Sequence, residues 1–155
     1  PAILGARGGE LGTVLYHGIH IFSVGIVAAL LMTRRWKASG KGHKGALWLS
    51  LLLAIAVMVI PCIAMIDRIG PTLMKLPHHH CPYCLLQYVP VSIAFLGLEL
   101  LGGFSLGWAF IAGTLGRTEA TRSISSEWVR RMWKSASFCL IASWVIVVVC
   151  LQWAN

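Results

Sequence analysis

The sequence predicts an all-α integral membrane protein, a bundle of four transmembrane helices with both termini on the outer side. Composition is the first of three observations behind this: the 155 residues are 57% hydrophobic and 12% charged, with a mean hydropathy of +0.77, where a soluble domain carries about one quarter charged residues. A water-soluble globule and a disordered chain are both excluded. The second is four apolar stretches, 11–33, 46–66, 85–114 and 135–153, each around the ~20 residues that cross a ~30 Å hydrocarbon core. The third is the sorting of charge. The net charge is +8, but Arg34, Arg35, Lys37, Lys41 and Lys44 fall in the first connection and Arg117, Arg122, Arg130, Arg131 and Lys134 in the third. Only Arg7, Arg68 and Lys75 lie on the other side. The positive-inside rule then puts the first and third connections in the cytoplasm, with anionic lipid, not nucleic acid, as the partner of the excess charge.

Taken in order, the stretch 11–33 has a polar outer half and ends in the basic run Arg34-Arg35-Trp36-Lys37, so it is expected to remain as a membrane anchor. Pro1 in place of Met predicts that residues were removed or are missing ahead of it. The connection after it holds Ser39-Gly40-Lys41-Gly42-His43-Lys44-Gly45 and is expected to be a flexible cationic tether. The segment 67–84 is expected to be an outer loop. In the stretch 85–114, Gly103 and Gly107 are four apart, a small-residue spacing that lets helices approach closely in lipid. Before the last stretch, Ser125 is placed to cap a short amphipathic cytoplasmic helix, with Glu127 in its first turn and Trp128, Val129, Met132 and Trp133 alternating with Arg130, Arg131 and Lys134. The whole chain is read as one transmembrane domain.

The chemistry concentrates in Pro77-His78-His79-His80-Cys81-Pro82-Tyr83-Cys84. With Cys81 at an N-cap and Pro82 at the first helical position, backbone N–H groups and any protonated histidine stabilise a thiolate, which makes Cys81 a better nucleophile and leaving group. The tetrapeptide Cys81-Pro82-Tyr83-Cys84 resembles the glutaredoxin active-site motif over those four residues, without the βαβ context of that fold. The architecture is similar to that of four-helix membrane oxidoreductases that pass electrons between protein thiols and quinone, which implies a C-x-x-C catalytic pair near the membrane surface. Those proteins carry a second cysteine pair on an outer loop, and this chain has none there. Cys62 and Cys150 fall toward the same face and a pair between them is geometrically allowed, but buried membrane cysteines behave as small apolar residues.

A metal is the alternative chemistry. Cys81 and Cys84, joined by one or two of His78, His79 and His80, form a Cys2His2 or Cys2His set suited to zinc or copper. Ionisable residues within the bilayer are His17, His20 and Glu99, with His17 and His20 on one face of the first stretch about 9 and 14 Å deep. Such residues are costly and point to function, and the three are expected to bound a pocket for a quinone-like carrier. Haem is disfavoured, because the later helices hold no histidine at matched depth and the residue after Cys84 is Leu85, not His. Nucleotide and hydrolase signatures are missing. The expected setting is a multi-pass protein of the bacterial cytoplasmic membrane. It would work with other membrane subunits or with a thiol redox partner on the outer face.

Overall fold

The computed structural model describes residues 17–18, 40–76, 80–116 and 122–154. Among them there are helices and turns and no strand. The expected first helix, 11–33, lies outside the described residues except for His17 and Gly18, which are helical.

α1 (Gly40–Ala64) starts inside what was expected to be a tether and ends two residues before the expected end at residue 66. Pro61 lies within it, so one i to i−4 hydrogen bond is missing, a defect that helices in lipid tolerate. A π-helical turn (Met65–Ile69) follows without interruption, and α2 (Gly70–Met74) continues it. Together they form one apolar rod, Lys44–Met74, of 31 residues. At about 1.5 Å per residue it exceeds a ~30 Å hydrocarbon core, so its end emerges. Lys75 stops α2 in the left-handed conformation, φ 56°, with its N–H on the Pro71 and Thr72 carbonyls. The segment expected as a loop over 67–84 is therefore largely helical.

The expected helix 85–114 is two helices. α3 (Pro82–Tyr88) carries the cysteines and α4 (Val91–Leu115) crosses the bundle. The break falls at Val89, φ −124° and ψ 80°, because the residue before Pro90 is driven out of the helical region. By contrast, the amphipathic segment and the last span are one helix, α5 (Arg122–Ala154), of 33 residues. No Gly or Pro occurs in that range to end it. Ser125 does not begin a helix; its Oγ donates to the Ala112 carbonyl at 2.9 Å and ties α5 to the end of α4. Glu127 pairs instead with Arg131 one turn on.

α4 packs most extensively on α5 and next on α1. One cluster buries Leu47, Leu53, Val57, Leu106, Trp133 and Leu140. A second, toward the cysteines, gathers Met65, Ile69, Leu85, Phe95 and Val147. The close approaches use Gly102 against Leu140 and Gly113 against Leu47, while Gly107 faces open space. Of the expected Gly103/Gly107 pair, Gly103 does take a neighbour, Met58 of α1, and Gly107 does not; Gly102 and Gly113 supply the other close approaches. Buried Ser143 donates to the Phe95 carbonyl at 3.0 Å, a bond between α4 and α5 of the kind that adds to association in lipid.

Among the described residues three helices are long and apolar enough to cross a membrane. Only 39%, 39% and 28% of their apolar windows are buried, and large side chains such as Leu52, Ile63, Phe104 and Phe138 stand exposed. Water would not tolerate that surface, and lipid does. The chain is a membrane protein that contacts the bilayer.

Candidate functional site

The site is assembled where α2 turns back into α3. A π-turn joins each carbonyl to the N–H five residues on, and Gly70 N–H accordingly reaches the Met65 carbonyl. The next carbonyl, Ile66, would look to residue 71 for its partner. That residue is Pro71, which has no N–H. His80 fills the gap: its Nδ1 lies 2.9 Å from the Ile66 oxygen. A carbonyl only accepts, so Nδ1 carries the proton and the Ile66 backbone fixes the ring's tautomer. This contact, fourteen residues apart in sequence, holds the segment leading to Cys81 against the π-turn.

Cys81 caps α3 in extended conformation, φ −83° and ψ 115°, with Pro82 at the first helical position. On the far side Ser92 Oγ donates to the Leu85 carbonyl at 3.2 Å, and buried Leu85 packs against Gly70. The motif is therefore held from both ends. The Cys81 thiol closes no cap hydrogen bond, but it sits in the field of the first-turn amides. Chiefly the Cys84 N–H, then the Cys84 thiol, holds Cys81 below the ordinary cysteine range against a small desolvation effect, with the Tyr83 N–H assisting. Cys84 moves the opposite way, raised by donating its S–H to Cys81, by desolvation and by the Cys81 negative charge. The pair is thus asymmetric, with Cys81 the more acidic thiol and Cys84 the less acidic one.

Beside Cys81 lies a cavity of about 180 Å³. Its walls come from α1 and the π-turn (Cys62, Met65, Ile66), α2 (Gly70, Pro71, Met74), the motif (His80, Cys81, Pro82, Leu85, Leu86) and Leu96 of α4. A dry apolar cavity of ~150 Å³ accepts a benzene-sized molecule, so this one accommodates a ring.

Of the expected site residues, His80, Cys81 and Cys84 are brought together. His78, His79 and His20 lie outside the described residues. His17 is on the same side of the bundle but meets Trp144 of α5, whose Nε1–H donates to His17 Nδ1 at 2.9 Å across an edge-on ring contact. Glu99 is buried within α4, 5% exposed, and neither it nor His17 lines the cavity. For a metal, Cys81, Cys84 and the His80 Nε2 edge are the available donors, and among the described residues no three His, Cys, Asp or Glu side chains converge on one point. The residues that sequence reasoning passed over are Pro71, Met65 and Trp144, and Cys62, placed on this face, was read as a small apolar residue. The Gly70-Pro71 pair was the signal for the first, since both residues punctuate helices.

No protein-family model, curated protein or solved structure matches this chain.

Proposed function

We propose that the chain is a four-span protein of the bacterial cytoplasmic membrane, with both termini and the cysteine motif on the outer face. In it Cys81 and Cys84 alternate between dithiol and disulfide and exchange electrons with a quinone-like carrier in the bilayer. The observation that supports this reading best is an asymmetric thiol pair of which Cys81 lies on the wall of an apolar, ring-sized cavity at the end of the spans. In the oxidising direction two S–H bonds become one S–S bond, and two electrons and two protons convert a quinone to its hydroquinone. Cys81 attacks first as thiolate, and Cys84 then closes the disulfide onto Cys81. A dithiol partner in the outer compartment would return the electrons, and that compartment permits disulfides.

Purified, prereduced protein mixed with a short-chain quinone tests the proposal. Hydroquinone absorbance should rise by one equivalent while mass spectrometry finds a Cys81–Cys84 disulfide, and Cys81→Ser and Cys84→Ser should each abolish both signals. Thiols that stay reduced in excess quinone would overturn it.

A further inference from the structure

The same cavity wall carries a third thiol. Cys62 lies on α1 one helical turn before Ile66, the residue whose carbonyl holds His80, and so it sits below the segment that presents Cys81. Its side chain is exposed and lines the cavity opposite the motif. Of the remaining cysteines, Cys139 and Cys150 do not reach this cavity. Cys62 and Cys81 therefore share one cavity, and Cys84 is hydrogen-bonded to Cys81 beside it.

We propose that Cys62 is the third exchanging thiol of this site and takes Cys81 into a Cys62–Cys81 disulfide inside the cavity. This rests on the dithiol/disulfide reading above. Starting from oxidised Cys81–Cys84, the Cys62 thiolate attacks Cys81 Sγ, a Cys62–Cys81 bond forms, and the Cys81–Cys84 bond breaks. Cys84 leaves as thiolate and takes up the proton that Cys62 gave away. No electrons are gained or lost, so no further oxidant is needed. A disulfide needs Cα atoms within about 4.4–6.8 Å, and the empty volume beside Cys81 is the space through which the start of α3 can move toward α1. The outcome is one oxidising equivalent with two addresses. At Cys81–Cys84 it is offered to aqueous thiols, and at Cys62–Cys81 it lies in the cavity that Met65 and Leu96 also line.

The test uses the full chain in native membranes and the azo oxidant diamide, which makes it independent of quinone. In Cys84→Ser, diamide should yield a Cys62–Cys81 linked peptide as the main intramolecular disulfide. In the wild-type chain, acid-quenched after oxidation, a minor share of the same linkage should accompany Cys81–Cys84 and vanish in Cys62→Ser. If the wild-type chain forms Cys81–Cys84 and no Cys62–Cys81, or if Cys84→Ser gives only links between chains, the inference fails while the quinone reading stands. A wild-type pair that forms both disulfides with diamide yet stays inert to quinone removes the quinone reading and leaves the three-thiol exchange in place.

Discussion

The two ends of the bundle are built on different principles. At the Leu47 end, side chains fill the glycines of the neighbouring helix: Leu47 lies on Gly113 and, further along, Leu140 on Gly102, with Trp133 fully enclosed. Dispersion over close-packed surface holds helices together in lipid, where the hydrophobic effect gives little. At the cysteine end the helix changes pitch, a carbonyl is handed to a histidine, and a cavity is left beside the Cys81 thiol. Close packing serves as scaffold at one end, and looser packing leaves open volume at the other.

Three perturbations would break or sharpen this contrast. The largest effect is expected at the packed end. Leu47→Ala removes a side chain with no exposed surface and should cost about 2–5 kcal/mol of unfolding free energy in detergent. The pH profile of Cys81 alkylation should stay where it was, and a shifted profile would show that the ends are coupled. Next comes Gly70→Ala. A Cβ there would lie 2.6 Å from the Met65 carbonyl oxygen, backbone that cannot step aside, so a loss of about 1–3 kcal/mol is expected. Here Cys81 reactivity should change too, because the π-turn positions His80; wild-type alkylation kinetics in a destabilised Gly70→Ala chain would contradict that link.

The smallest effect is electrostatic. Because its folded pKa is lowered, Cys81 should label with iodoacetamide at a rate that levels off at a lower pH than an ordinary cysteine, and its reactivity should fall as pH drops through that value. Cys84→Ala deletes the thiol donor and keeps the backbone N–H, the larger influence. The midpoint should therefore rise only part of the way to the ordinary value, as labelling rates across pH would show. A complete return would assign the shift to the thiol alone.

Much of the scaffold was legible because bilayer thickness imposes a length on apolar segments, and the Cys81 cap with Pro82 behind it was legible from local chain chemistry. The boundaries were not. α1 begins at Gly40, inside the glycine- and lysine-rich run read as a tether, and it runs on through Pro61 because neighbouring helices and lipid tolerate the missing bond. Val89-Pro90 carried a break signal inside an apolar run, and hydropathy alone masked it. Ser125 offered a cap and spent its hydroxyl on Ala112 instead. The cavity depends on His80 meeting the Ile66 carbonyl that Pro71 leaves without a donor, a long-range pairing that periodicity cannot encode.

The π-turn carries a consequence for how such a sequence can change. Relative to an α-helix it contains one residue more than its hydrogen bonds require, as though a single codon had been inserted between Met65 and Ile69. Deleting one residue there would restore regular phase and turn everything after it by about 100° about the helix axis. Pro71 would then stand four residues after Ile66, which would still lack a backbone donor, while His80 and the thiol motif would rotate away from that carbonyl and from Cys62. Sequences with and without that extra residue would be separated by reading phase more than by composition, and only the longer form would keep Cys62 and Cys81 on one cavity.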